Sequence, residues 1–164
     1  MTLAKHLHSL GFTVFAGCLL ADQSGDGATE LRAVDSPNLH VLQLDVTKDE
    51  DWAAAVALVA EKSPSGLWGI VNNAGWATFG HVEWTALETY DKIVDINVMG
   101  VIKGVKACLP LIRRGRGRVV TVTSCLARWA VPNRSPYITT KFALEGFSEC
   151  LRHEVKRFGV KVKE

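Results

Sequence analysis

The stretch SPYITTKFALEGF sets Tyr137 and Lys141 four residues apart, on one face of a segment with helical periodicity. A phenol is a poor acid or base near pH 7, because its ordinary pKa is about 10. An ammonium group close by favours the phenolate, so the pair has the parts to pass a proton to or from a substrate oxygen. Taken alone, the same spacing also describes a core tyrosine beside a snorkelling lysine. Ser124 shifts the balance. It ends the β-rich run GRVVTVTS, thirteen residues before Tyr137, so a strand end and a helix start can converge on one pocket. Its hydroxyl can hold the same substrate oxygen against the phenol. The simpler reading is a serine that caps the turn after the strand. No G-x-S-x-G elbow surrounds Ser124, which excludes the usual serine-hydrolase arrangement.

Three further polar positions border apolar runs. NNAG, from Asn72 to Gly75, closes LWGIV; asparagine can bond neighbouring backbone, and Gly75 lets a flat ligand approach the main chain. Asp45 follows LHVLQL, where a carboxylate can accept from a purine amine or can serve the next helix. Asn97 opens the apolar run NVMGVIKGVKACLPLI, as a cap or as a group whose carbonyl holds a water.

Alternating helices and strands must position these residues. Leu3, Leu7 and Leu10 share a helical face that Gly11 ends, and FTVFAGCL reads as a strand. The polar loop ADQSGDG leads to a short helix over Thr29 to Val34, and Leu39 to Val46 forms a second strand. Thr47 reads as the cap of a helix through WAAAVALVAEK, with Asp49, Glu50 and Asp51 at its positive end. LWGIVNNAG is a third strand and GRVVTVTS a fourth. Helices start near Ala86 and Asn97, and a further one through Tyr137 stops at Gly159 before the strand-like VKVK. Strands that are apolar throughout and bounded by helices predict an α/β fold, with a parallel sheet covered on both faces. Ligands bind such sheets at the carboxyl ends of the strands.

Composition bounds the function. The 164 residues suffice for one domain with a core, and a net charge of +2 argues against nucleic acid. The cluster RRGRGR (Arg113 to Arg118) is short and glycine-broken, a solvated turn with at most a weak pull towards anionic lipid. Cys18, Cys108, Cys125 and Cys150 form no CxxC pair, and the five histidines show no metal-ligand spacing, so no metal is predicted. The cysteines read as reduced thiols in an intracellular compartment. No apolar run reaches the roughly 18 residues of a membrane span, and the first residues do not form a signal peptide.

NNAG, Asn97, Ser124 and Tyr137-x-x-x-Lys141, in that order and spacing, resemble the short-chain dehydrogenase/reductase family over essentially the whole chain. The phrases LAKHLHSLGFTVFAGCL, GHVEWTALETY and LPLIRRGRGRVV look most like its hydroxybutyrate, retinol and hydroxysteroid dehydrogenase branch. The resemblance implies a Rossmann-like doubly wound parallel sheet and an alcohol/ketone oxidoreductase using NAD or NADP, with NAD favoured. Tyr137 would be the acid/base and Lys141 its activator and a ribose ligand. Ser124 would orient the carbonyl, and Asn97 would anchor a relay water. Asp45 and Val46 would face the adenine; Asn73, Ala74 and Gly75 would line the cofactor. A small-molecule alcohol or ketone, a homo-oligomer and a mitochondrial or endoplasmic-reticulum setting, with peripheral membrane contact, complete the expectation.

Against that pattern, no G-x-x-x-G-x-G loop occurs where the pyrophosphate would meet a helix start. The resemblance therefore implies a single partial dinucleotide-binding domain over 1–164, lacking the family's first strand with its glycines and its C-terminal strands. In the family's sheet the first strand is central, so the two halves of this sheet should separate. Thr123-Ser124 replaces a more usual Ser-Ser, and Ala127 stands where glycine is common. Cys18 and Leu19 stand where an acidic or basic residue would choose between NAD and NADP, and Trp76 and Trp129 border the expected substrate pocket. A catalytically impaired piece acting in binding or regulation is the alternative reading.

Overall fold

The computed structural model describes residues 2–23 and 25–164. Helix α1 (Thr2–Ser9) ends as its glycine predicts: Gly11 takes φ +89°, and the N–H groups of Gly11 and Phe12 bond back to the carbonyls of His8 and Leu7. Strand β1 (Val14–Cys18) pairs in parallel with β2 (Leu39–Gln43). Helix α2 spans Asp26–Arg32, earlier than the Thr29–Val34 expected. The Gly25 carbonyl accepts from Ala28 and Thr29, so the chain turns helical as soon as the loop glycine allows, with Asp26 at the positive end.

The second strand is also shorter than its apolar pattern. Asp45 Oδ1 accepts from the Thr47 N–H at 3.0 Å and from its hydroxyl at 2.7 Å, which bends the chain after Gln43. Thr47 therefore serves this turn and caps nothing; Lys48 holds the cap position of α3 (Asp49–Lys62) without a side-chain bond.

Strand β3 (Gly69–Asn72) pairs in parallel with β4 (Arg118–Thr121), and β4 with β5 (Lys161–Lys163). The strands thus form two sheets, β1-β2 and β3-β4-β5, as the resemblance implied. Parity shows what each inner edge offers. Val14 donates to Asn38, and Leu44 donates to Cys18, so Phe15 and Gly17 point their backbone groups away from β2. Arg118 donates to Trp68 and Val122 to Asn72, so Gly69 and Val71 point away from β4.

Helix α4 (Leu87–Val94) runs through a π-helical turn (Asp95–Met99) into α5 (Gly100–Arg114). Asn97 thus sits inside a continuous helix and does not open one. The turn of wider gauge displaces its side chain from the regular helical register. A 3₁₀ turn (Cys125–Ala127) precedes α6 (Ser135–Val155), whose Pro136 suits a helix start. The main core joins α5, α6, β4 and β5 through Val105, Cys108, Ile112, Val119, Leu144, Leu151 and Val162, and Trp52 of α3 closes it on one side. Burial pushes the Cys108 thiol up to about 11, so it packs as a neutral hydrophobe.

Candidate active site

Lys141 is the buried charge that organises the site. Only 6% exposed, its Nζ donates to the Val122 carbonyl at 2.8 Å, just past the end of β4, and lies 5.4 Å from the centroid of the Tyr137 ring. Burial lowers its pKa from the ordinary lysine value, since an ammonium leaving water loses solvation. The Tyr137 ring is half-buried, and its hydroxyl has no hydrogen-bond partner among the described residues. One helical turn thus presents a free phenol beside a cation anchored to a strand end.

Ser124 lies two residues past Val122 and is half-buried. Its Oγ accepts from the Leu126 N–H at 3.2 Å, so the capping reading holds geometrically. An accepted bond leaves the hydroxyl proton free to be donated, so the cap does not exclude a second partner. The Cys125 Sγ is a weak neighbour at 4.0 Å.

Asn97 is 1% exposed. Its Oδ1 accepts from the Trp76 N–H at 2.7 Å, and its Nδ2 donates to the Trp76 carbonyl at 2.9 Å and to the Thr140 hydroxyl at 3.1 Å. The side chain thus grips the loop after β3 just beyond Asn73, Ala74 and Gly75, which are all exposed. Asn72 is buried and bonds Thr121 across the ladder, so of the two asparagines only Asn73 is open to a ligand.

A cleft of about 450 Å³ opens at the carboxyl ends of β1 and β2, lined by Leu20, Asp22, Gln43, Asp45, Lys48 and Asp51 among others. Hydrogen bonds from the Thr47 N–H and hydroxyl hold Asp45 below the usual carboxylate range. Val46 faces elsewhere: it packs against Gly100, and its carbonyl accepts from the Trp52 indole at 3.0 Å. A second cleft, of about 560 Å³, lies between the loop from Thr78 to Thr89 and Asn133. Phe79, His81 and Trp84 line it, and the Gly80 N–H bonds the Asn133 carbonyl at 3.0 Å. Of the two tryptophans expected at a pocket rim, Trp76 lies under the Lys92 ammonium at 4.9 Å and Trp129 is 70% exposed. Thr140 and Val122, which anchor Asn97 and Lys141, escape a sequence reading. Only the place of Thr140 three residues after Tyr137 hints at it.

Residues 1–164 match the family model described as short chain dehydrogenase. The chain belongs to the short-chain dehydrogenase family. It is 52% identical over 164 residues to the mitochondrial D-β-hydroxybutyrate dehydrogenase of Bos taurus, with 98% of this chain and 48% of that protein covered. It is 43% identical to the 17-β-hydroxysteroid dehydrogenase type 6 of Bos taurus, over 98% of this chain and 50% of that one. With retinol dehydrogenase 7 of Mus musculus it shares 41% identity, over 98% of this chain and 49% of that one. The chain therefore spans about half the length of the curated relatives it matches. Among solved structures, a short-chain dehydrogenase from Streptomyces avermitilis superposes with a TM-score of 0.87 at 29% identity, covering 97% of this chain and 57% of that one. The fold of this chain is thus Rossmann-like, and no helix of the described residues is long and apolar enough to cross a membrane.

Proposed function

We propose that this short-chain dehydrogenase carries the proton-handling half of a nicotinamide-dependent interconversion of a secondary or lipophilic alcohol and its carbonyl. The observation that carries the reading is the buried Lys141 ammonium, anchored to Val122 and set against the ring of a Tyr137 whose hydroxyl has no partner among the described residues. In the oxidation direction Tyr137 accepts the hydroxyl proton of the alcohol, and in reduction it returns that proton to the carbonyl oxygen. Lys141 places positive charge beside the ring where negative charge develops, and Ser124 donates its free proton to the same substrate oxygen. The proposed part of Asn97 is to hold the loop of Asn73, Ala74 and Gly75 in place, with its helix carbonyl as a relay-water site. A hydroxybutyrate, a retinoid or a steroid alcohol is the substrate class, after the relatives' names.

The residues fit a dinucleotide at two places. Exposed Asn73 to Gly75 offer backbone beside Tyr137 and Lys141, and the cleft at β1 and β2 has a volume suited to an adenosine moiety. When bound, the nicotinamide supplies or takes the hydride. Asp22, Asp45 and Asp51 line the cleft against one described cation, Lys48, so a 2′-phosphate would meet repulsion while ribose hydroxyls would find acceptors. The proposed cofactor is therefore NAD, with Asp45 near the adenine; Val46 contributes by packing. Fluorescence titration of the purified chain should give NADH binding at least about tenfold tighter than NADPH. Tyr137→Phe should keep that binding and lower turnover by ~10²-fold or more. Turnover unchanged in this variant would remove Tyr137 from its role.

A second reading, a binding or regulatory piece without turnover, is favoured by the unpaired inner edges of the two sheets. Turnover separates them: NADH formed from NAD and an alcohol by the purified chain would speak for the enzyme, and association through the exposed edges without turnover for the second reading. An intracellular setting, mitochondrial or at the endoplasmic reticulum, and a homo-oligomer complete the proposal.

A further inference from the structure

We infer that Thr140 is a positioning residue that ties the loop after β3 to the helical turn of Tyr137, through the side chain of Asn97. The functional meaning of this tie rests on the oxidoreductase reading above. Thr140 is fully buried, and its hydroxyl donates to the Tyr137 carbonyl at 2.7 Å. That bond by itself is ordinary, because helical threonines commonly bond a carbonyl three or four residues back. The second partner is not. The same oxygen accepts from Asn97 Nδ2 at 3.1 Å, from a residue 43 positions earlier.

Counting donors shows how tightly the set is determined. An asparagine amide has two protons and one oxygen. Asn97 spends one proton on the Trp76 carbonyl, the other on Thr140, and its oxygen on the Trp76 N–H. The Thr140 hydroxyl has one proton, and Tyr137 takes it. Trp76 backbone, Asn97, Thr140 and Tyr137 backbone therefore form one satisfied chain, with Asn97 and Thr140 buried at its middle. Gly75 belongs to the fit: a Cβ there would lie 3.4 Å from Asn97 Oδ1. The consequence is that the loop residues Asn73 to Gly75, where a ligand would rest, and the phenol of Tyr137 keep one fixed relation. Thr139, the preceding residue, is exposed and provides an internal control.

Hydrogen exchange on the purified chain tests the tie without needing turnover. Thr140→Val keeps the shape and removes the hydroxyl, leaving one Asn97 proton unsatisfied in a buried place. The Trp76 amide should then exchange about tenfold faster or more, with β4 amides unchanged. Thr140→Ser should restore protection, and Thr139→Val should change nothing. Unchanged Trp76 exchange in Thr140→Val would overturn the inference. So would a uniform rise along α6, which would make Thr140 a packing residue only. Should Thr140→Val not fold, the unmodified chain decides: NMR cross-relaxation between the Thr140 hydroxyl proton and the Asn97 side-chain amide is expected, and its absence overturns the tie. In a chain that turns over, Thr140→Val should lower kcat and raise the cofactor KM, because the tie also holds Asn73 to Gly75, and Thr140→Ser should recover both. Faster Trp76 exchange in a chain that binds no NADH would support the tie and count against the oxidoreductase reading.

Discussion

The half of the molecule built on β3, β4 and β5 differs in kind from the half built on β1 and β2. In the first, α5 and α6 press a continuous core against the sheet, and Ile112, Val119 and Leu144 are at most 1% exposed. In the second, α1 buries no residue, and Leu3, Leu10, Leu19 and Leu20 are 46–60% exposed. The residues proposed to handle a proton all stand on the first half; the acidic cleft stands on the second. The tighter packing is thus concentrated where the proposed acid/base geometry would need to be held within fractions of an ångström, and the looser half carries the surface proposed to receive a ligand. Trp52 of α3 bridges the two: its ring packs on Gly104 of α5 while its indole N–H holds the Val46 carbonyl.

The sharpest way to break this contrast is to cut one leucine in each half. Leu144→Ala should cost about 2–5 kcal/mol, because it opens a cavity in the packed core. Leu10→Ala should stay within about 0.5 kcal/mol, because that side chain already meets water. Equal losses by chemical denaturation would show that the halves are not different in the way described. The bridge gives a smaller effect. A Cβ on Gly104 would lie 2.6 Å from the Trp52 ring, so Gly104→Ala overpacks by about 1–3 kcal/mol. The gain of about 1 kcal/mol in helix propensity opposes this, and a net loss near ~1 kcal/mol, with altered Trp52 fluorescence, is expected.

Lys141 adds a pH-dependent effect confined to the first half. Its folded pKa is lowered from the ordinary 10.5, so between the folded value and 10.5 the unfolded chain binds more protons than the native one. Stability contributed by this group therefore rises with pH across that window, and the full burial penalty applies below it. In Lys141→Met that rise should be absent from denaturation curves taken across alkaline pH; a slope unchanged from the parent would contradict the burial of the charge. The subtlest expectation concerns the second half. Amides of Phe15 and Gly17, which face away from β2, should exchange faster than those of Ala16 and Cys18, which face it. Even protection along β1 would mean that its inner edge is paired.

The alternation of helices and strands was legible because periodicity is a property of short stretches. Gly11 and Gly159 stop their helices through positive φ, as their places in the pattern predict. Boundaries failed where a side chain captured the backbone: Asp45 turns the chain before β2 reaches Val46, and it removes Thr47 from the cap. Asn97 failed for another reason. A π-helical turn leaves no mark in the apolar pattern, so the residue reads as a helix start although the helix runs through it.

Residue types and spacings, taken alone, pointed to the family and the α/β order and named the groups proposed to move a proton. Those features are local: a helix sets Tyr137 and Lys141 on one face whatever surrounds it. Folding alone decided what each group meets. The Val122 carbonyl that receives Lys141 is 19 residues away, and the threonine that receives Asn97 is 43 away. Such pairs form only when separate strands and helices pack, because a buried donor must find its acceptor among whatever the core brings near it.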